Sequence, residues 1–209
     1  MNIAYAEVIN VNREAFLKKL IEVCDFLQMH PSDLMIVIRM ESKFNRKAVN
    51  KTSKAVGLIQ WIPRYVKPFL GYSSSVPDYI VVKRIQSMSG VQQLELIKRF
   101  LAPYKGKMTD RYQAYLAVFY PKALGKPDDY LIGDEKGIGI FKKNYEWNKN
   151  VDRSFGNKDG KLTISDIKKF VDHHTPKQSK STEVPIEPKK TVKPHVSGRK
   201  SCPYCLRAY

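Results

Sequence analysis

The fold is decided by the stretch Leu34-Met35-Ile36-Val37-Ile38-Arg39-Met40-Glu41-Ser42, in which a carboxylate follows shortly after an unbroken apolar run. Residues 34–38 are apolar on every face of a helix, which predicts a helix that is buried all round. His30-Pro31-Ser32-Asp33 precedes this run, and a proline with an acidic residue in the first turn is typical of a helix start. Glu41 therefore lies where a buried helix ends.

Apolar residues at helical spacing predict further helices on both sides of this stretch. One helix is capped by Asn12, one begins near Ser89, and one opens at Thr109 and stops before Pro121. Loops rich in Gly, Pro, Ser and Asn separate them, and few segments alternate as strands do. The predicted fold class is mainly α.

The composition indicates a folded core and an acidic partner. Of 209 residues, 43% are hydrophobic and 11% aromatic, which excludes a wholly disordered chain. Lys and Arg number 37 against 20 Asp and Glu, a formal net charge of +17. Such a charge favours nucleic acid, a membrane surface or an anionic cell-wall polymer as partner, without choosing among them. No run approaches the ~18 apolar residues of a membrane span.

Glu41 is the first candidate catalytic residue. Its neighbours Met40 and Phe44 predict a partly desolvated carboxylate, and desolvation raises the pKa of a carboxyl group, which suits a general acid near neutral pH. The alternative is a helix-end glutamate that points into solvent, and position alone favours that alternative.

The residues that follow Glu41 favour the catalytic role over the solvent-exposed alternative. Glu41-Ser42 is followed by Asn50 and then by Gly57-Leu58-Ile59-Gln60-Trp61-Ile62-Pro63. This ordered pattern resembles the lytic transglycosylases of the lysozyme-like superfamily, whose catalytic segment reads as a Glu-Ser pair, a short Asn/Ser loop and a Gly-Leu-Met-Gln-like turn ending in proline. The resemblance implies a lysozyme-like transglycosylase domain over residues 1–150.

The same resemblance implies roles for these residues. Glu41 would be the catalytic acid, with Ser42 beside it in the substrate site. Asn50 would orient the carboxylate and the substrate, Gln60 would contact glycan, and Ile62 would line the cleft.

Two later tyrosines are substrate-binding candidates on the same grounds. The segment at 117–121 falls where the family has a Tyr-Asn-Ala-Gly-like sequence, so that Tyr120 stands at the asparagine position and Pro121 replaces a small residue. Phe119 before it is either core packing or a sugar platform. Tyr145 stands where the family usually has a cleft tyrosine.

The resemblance implies cleavage of the β-1,4 bond between N-acetylmuramic acid and N-acetylglucosamine in peptidoglycan. A glycosidase normally uses two carboxylates, and no local pattern supports Asp78, Asp110 or Glu135 as the second. A mechanism with one carboxylate is therefore expected: Glu41 protonates the glycosidic oxygen, and the C6 hydroxyl closes on C1 to leave a 1,6-anhydro end. No cofactor is needed for that chemistry.

Two other functions stay open. One is a hydrolytic muramidase of the same fold, and the other is a basic structural virion protein that retains the fold with little activity. The start of the chain lacks the features of a signal peptide. We therefore expect a bacteriophage enzyme made in the bacterial cytoplasm, which acts on the cell wall after phage release or as a virion component.

Residues 151–172 resemble a degenerate calcium-binding EF-hand. Asn157, Asp159 and Asp166 are candidate calcium ligands, with Gly160 at the sharp turn. Phe155, however, occupies the first ligand position. The alternative is a simple turn followed by a helix capped by Thr163 or Ser165.

The last segment, 173–209, is predicted to be a flexible basic tail. It has eight basic and two acidic residues, a net charge of +6, and five of the 12 prolines. The tail is either a solvated linker or a tether to anionic wall polymer, DNA or virion proteins. Cys202 and Cys205 near its end have zinc-knuckle spacing, but a structural zinc needs four ligands. A small disulfide or free thiols are the alternatives.

Overall fold

The computed structural model describes residues 3–176, and helices dominate it. In this part of the chain the α-helices are α1 (Arg13–Leu27), α2 (Pro31–Ser42), α3 (Pro63–Val66), α4 (Asp78–Ser87), α5 (Gly90–Leu101), α6 (Arg111–Phe119), α7 (Gly139–Ser154) and α8 (Ile164–His173). Two short strands accompany them, β1 (Leu131–Asp134) before α7 and β2 (Lys161–Thr163) before α8. The prediction of a mainly α fold is confirmed.

Local side-chain chemistry explains where several helices begin. His30 Nδ1 accepts from the Ser32 amide before α2, with Pro31 as the first helical residue. Ser89 and Gln92 form a reciprocal capping box on α5. Asp110, one residue after the predicted start at Thr109, caps α6 by accepting two backbone N–H bonds, each 2.9 Å long.

The apolar stretch of α2 lies in the centre of the core. Residues 34–38 are all buried, and α2 packs against α6 while α1 packs against α5. Full burial of one large aliphatic side chain stabilises the fold by roughly 1.5–3 kcal/mol relative to exposure. The five apolar residues therefore hold α2 in place, and its C-terminal end carries Glu41 to the surface of the core.

The two strands pair antiparallel, and both pack against α7. The register pairs Leu131 with Thr163, with an irregularity between Leu131 and Gly133. A side chain at Gly133 would place its Cβ 2.7 Å from the Tyr145 backbone nitrogen, so glycine is required for this close approach of β1 to α7. The pair joins chain segments on either side of α7 into one unit, β1–α7–β2–α8.

Two of the predicted boundaries, at residues 150/151 and at His173, fall within helices of this unit. The limit between residues 150 and 151 falls inside α7, which is continuous to Ser154. His173, the predicted first residue of the tail, ends α8, and the Tyr5 hydroxyl donates to the carbonyl oxygen of His174 at 2.6 Å. Cys202 and Cys205 lie outside the described residues. No helix within residues 3–176 is long and apolar enough to cross a membrane.

Candidate active site

Glu41 lies in the last turn of α2 and is half-buried. The helix ends directly after it, because Lys43 and Phe44 adopt left-handed backbone angles, φ 51° and 65°. Buried α2 therefore presents Glu41 at the point where the chain turns into an irregular loop. This is the placement that the sequence predicts for the catalytic acid.

Ser42, beside it, is buried, and its hydroxyl donates to the Ile38 carbonyl oxygen at 3.2 Å. This bond satisfies a carbonyl group in the last turn of α2. In this arrangement the Ser42 proton is directed to the helix and not to a ligand.

The loop after α2 is closed by two isolated bridges, Val49 to Val56 and Val56 to Trp61. Asn50 is exposed in this loop, and its Oδ1 accepts from the amides of Thr52 and Ser53 at 2.9 and 3.0 Å. The side-chain oxygen of Asn50 thus shapes the turn, a common use of asparagine in loops.

Gln60 is held in the same loop with a left-handed backbone, φ 50°. Its Nε2 donates to the carbonyl oxygens of Gly57 at 3.0 Å and Ala48 at 3.4 Å. The amide nitrogen therefore braces the turn, which leaves the side-chain oxygen as the group of Gln60 with acceptor capacity for a glycan hydroxyl.

Gln93 in α5 holds this loop from the other side and was missed by the sequence analysis. It is fully buried; its Oε1 accepts from the Leu58 amide at 2.9 Å, and its Nε2 donates to the carbonyl oxygens of Arg46 at 2.8 Å and Ile85 at 2.9 Å. The sequence does contain a signal for the burial of Gln93. This residue precedes Ile97 and Leu101 at intervals of four residues, on the apolar face of α5.

A cleft of about 420 Å³ borders the segment directly after Glu41, with Phe44 and Asn45 in its lining. A larger cleft of about 620 Å³, which we call the main cleft, brings together three of the predicted residues, Asn50, Ile62 and Tyr120. Glu41, Ser42, Gln60 and Tyr145 are not among the described residues that line the main cleft.

Tyr120 follows the last residue of α6 and is nearly buried in the wall of the main cleft. Desolvation raises the pKa of its hydroxyl, the neighbouring Tyr130 acts in the same direction, and a hydrogen bond with the Asn144 side chain opposes them. Tyr120 thus presents a neutral phenol to the main cleft at physiological pH.

Tyr145 has a structural role in this arrangement. Only 1% of its surface is exposed, and its hydroxyl donates to Asp152 Oδ2 at 3.0 Å. Burial is the main reason that the pKa of Tyr145 is raised. The predicted contact between Tyr145 and glycan would require a movement of α7, because the side chain has almost no accessible surface.

The EF-hand-like segment forms a hydrogen-bonded turn. Asp152, fully buried, accepts from the backbone amides of Lys158 at 2.8 Å and Gly160 at 3.1 Å. Asp166 is buried in a capping box with Thr163, as the simple-helix alternative predicts. Its carboxylate therefore serves the start of α8.

The other predicted calcium ligands also face protein groups. Asn157 Nδ2 donates to Asp159 Oδ2 at 3.0 Å, and the other Asp159 oxygen accepts from the Lys161 amide at 2.9 Å. The Phe155 ring, at the first ligand position, packs against Phe170. These residues do not fit an oxygen cage as they are placed, and calcium binding stays a prediction.

Zinc binding at the tail is likewise untested, since Cys202 and Cys205 lie outside the described residues. Cys24, the remaining cysteine, is fully buried on α1, and burial raises the pKa of its thiol well above the usual range. Within residues 3–176 no group of three or more His, Cys, Asp or Glu residues is placed to hold a metal ion.

The comparison with known families matches the segment that holds these loop residues. Residues 25–79 match the family model of the transglycosylase SLT domain. We call residues 25–79, which are similar to this domain, the SLT segment. The resemblance to lytic transglycosylases is thereby confirmed, and the helical fold is consistent with a lysozyme-like domain.

The SLT segment contains Glu41, Ser42, Asn50, Gln60 and Ile62, whereas Tyr120 and Tyr145 lie beyond it. It supports a function of the lytic transglycosylase type, with peptidoglycan as the implied substrate. No curated protein and no solved structure matches the chain significantly.

Proposed function

We propose that this protein is a peptidoglycan lytic transglycosylase that cleaves the β-1,4 bond between N-acetylmuramic acid and N-acetylglucosamine, with Glu41 as its catalytic acid. One observation carries the proposal: the SLT segment places Glu41 at the end of buried α2 and leads directly into Asn50 and Ile62 of the main cleft. Because Glu41 lies outside the lining of the main cleft, the proposal requires a glycan held by Asn50 and Ile62 to extend to the end of α2.

The proposed reaction balances with one carboxyl group. Protonated Glu41 gives its proton to the glycosidic oxygen, the C1–O bond breaks, and the N-acetyl group of the substrate stabilises the cationic centre. The Glu41 carboxylate then takes the proton of the C6 hydroxyl, whose oxygen forms the new bond to C1. Water is not consumed, and the acid is regenerated.

The other carboxylates considered from the sequence have structural partners. Asp78 lines the main cleft but pairs with Lys67 Nζ at 2.8 Å. Asp110 caps α6, and Glu135 pairs with Arg153 at 3.1 Å. These contacts give each of the three carboxylates a role in stabilising the fold.

We also propose that the protein acts as a bacteriophage lysis or host-penetration enzyme. Its net charge of +17 supports this site of action, because cell walls carry anionic polymers that attract a basic enzyme. The eight basic residues beyond residue 176 make this part of the chain the candidate tether to wall polymer, DNA or virion proteins.

Mass spectrometry of muropeptides after digestion of purified peptidoglycan tests activity and product together. We expect products with 1,6-anhydro ends, lighter by one water molecule than products with reducing ends. Glu41→Gln keeps the shape of the side chain but supplies no titrating proton, so cleavage should fall at least ~100-fold. Glu14→Gln, an exposed change in the first turn of α1, is the matched control and should cleave normally.

Each outcome separates the candidate functions. Reducing ends would identify a hydrolytic muramidase of the same fold. No cleavage by the unsubstituted chain would favour the structural virion protein. Normal cleavage by Glu41→Gln would overturn the assignment of the acid.

A further inference from the structure

Trp147 is a large aromatic side chain that lines the main cleft although 56% of its surface is exposed. It lies on α7, outside the SLT segment, so the family match assigns it nothing. An exposed indole leaves much apolar surface in contact with water, a cost that a bound partner would remove. Its position in a cleft makes it more than an isolated surface residue.

The surroundings of Trp147 combine apolar and amide groups. Phe119, Ile62 and Ile132 contribute apolar lining to the main cleft, while Asn144 and Asn148 flank Trp147 in sequence and line the same cleft. A sugar ring has apolar C–H faces and a polar rim. Apolar walls with a few amide groups therefore match an N-acetylated sugar.

The helix that carries Trp147 is held firmly. Asn144 Nδ2 donates to the Ile132 carbonyl oxygen of β1 at 2.8 Å, and Asn148 Nδ2 donates to the Asn144 carbonyl oxygen at 2.9 Å. The close approach at Gly133 brings β1 against the α7 backbone. A platform on such a helix needs little ordering when a ligand binds, which favours affinity.

The charges of the main cleft suit an acidic glycan. Arg64 and Asp78 both line it, but the Asp78 carboxylate is neutralised by Lys67. The guanidinium group of Arg64 stacks on the Tyr65 ring at 4.7 Å. The charges of Arg64 and Asp78 cancel within the lining, and Lys67 beside Asp78 adds one positive charge, which would attract an acidic glycan strand.

We propose that Trp147 is the stacking platform of a sugar subsite that binds an N-acetylhexosamine residue of the glycan strand. This inference rests on the proposed function for its biological substrate, but the binding can be measured without any cleavage. A ring stacked on the indole would displace water from the exposed surface and orient the strand along the cleft.

The two tryptophans of the chain allow a direct test. Trp61 is fully buried and Trp147 is exposed, so acrylamide should quench mainly Trp147 fluorescence. We expect a soluble N-acetylglucosamine oligomer to protect Trp147 from quenching in a full-length Glu41→Gln protein, which prevents turnover. In a Trp147→Phe variant the remaining Trp61 emission should not respond to the oligomer.

Calorimetry on the same proteins measures the affinity. Trp147→Ala should weaken oligomer binding about tenfold, which corresponds to about 1.4 kcal/mol, because it removes the aromatic face on which the sugar ring stacks. Trp147→Phe should retain part of the binding. Phe141→Ala is the control on the same helix, because a six-residue offset puts it roughly 120° around the axis.

The inference is overturned if the unsubstituted cleft binds no oligomer, or if Trp147→Ala binds as tightly as Phe141→Ala. Binding that depends on Trp147 in a protein that leaves peptidoglycan uncleaved would support the subsite and refute the proposed enzyme. Anhydro products that form equally well in the Trp147→Ala variant, with unchanged oligomer binding, would support the enzyme and refute the subsite.

Discussion

The SLT segment and the β1–α7–β2–α8 unit both contribute side chains to the main cleft. They differ in how side chains form hydrogen bonds with the backbone groups of their irregular loops. In the SLT segment, Gln93 reaches in from α5 and bonds to backbone groups distant in sequence. In the second unit, Asp152 bonds to amides six and eight residues away. The segment with the more recognisable motif therefore depends more on distant contacts, so a readable motif is not evidence of a self-sufficient local structure.

The largest effect is expected at Gly57, where the turn of the SLT segment meets the core. A Cβ there would lie 2.8 Å from Gln93 Oε1 and 2.9 Å from Trp61 Cζ3, and the backbone is left-handed at φ 82°. Gly57→Ala should lower the free energy of unfolding by about 4 kcal/mol, from left-handed strain of about 1–2 and overpacking of about 1–3 kcal/mol.

Chemical denaturation of Gly57→Ala and Gly71→Ala measures this effect. Gly71 is also left-handed, at φ 73°, but a Cβ there meets nothing within 4 Å, so the control should lose only about 1–2 kcal/mol. Equal losses in the two variants would show that packing against Gln93 does not constrain the SLT segment.

The second-largest loss of stability is expected at Asp152 in the β1–α7–β2–α8 unit. Asp152→Asn replaces one acceptor oxygen by an NH₂ group that faces backbone or tyrosine donors, so we expect a loss of about 2 kcal/mol in unfolding free energy. Asp159→Asn, at an exposed position of the same turn, should lose less than half of that.

A calcium titration tests whether Asp152 or a bound calcium ion organises this turn. Thermal unfolding of the unsubstituted protein in calcium and in chelator should give the same midpoint if Asp152 organises the turn. A higher midpoint in calcium, abolished by Asp159→Asn, would instead establish the EF-hand prediction.

The smallest effect is expected where the second unit docks on α6. Asp172 of α8 accepts from Arg111 Nη2 and from the Tyr112 hydroxyl, each at 2.7 Å. Burial acts to raise the pKa of Asp172, but the hydrogen bonds from Tyr112 and Arg111 outweigh it, so the pKa lies below its ordinary value. The pair is half-exposed, and Asp172→Asn should cost about 0.5 kcal/mol near neutral pH.

The pH dependence of the unfolding free energy tests the sign of the Asp172 contribution. A carboxyl group with a lowered pKa in the folded state stabilises the protein above its unfolded pKa, about 3.9, and loses that effect as pH falls through the folded value. The difference between the unsubstituted protein and Asp172→Asn should therefore shrink in acid. A difference that grows in acid would contradict the lowered pKa.

Helix starts and the buried stretch of α2 were predictable because their signals are local. Pro31, Ser89 and the apolar residues 34–38 act through neighbouring backbone groups and through periodicity. The limits of α7 were not predictable in this way. Two of its four buried residues, Asn144 and Asp152, are polar and become buried only through bonds to β1 and to the turn before β2.

The candidate site also has residues that local sequence predicted and residues whose position depends on tertiary packing. The order of Glu41, Asn50 and Gln60 in the sequence predicted the similarity to lytic transglycosylases and the candidate acid, because residues on one continuous segment keep a fixed spacing. Only the tertiary structure placed Tyr120 and Trp147 with Asn50 in one cleft and moved Tyr145 into the interior. Side chains from separate segments meet through packing of α6 and α7 on the core, and no local pattern in the chain encodes that packing.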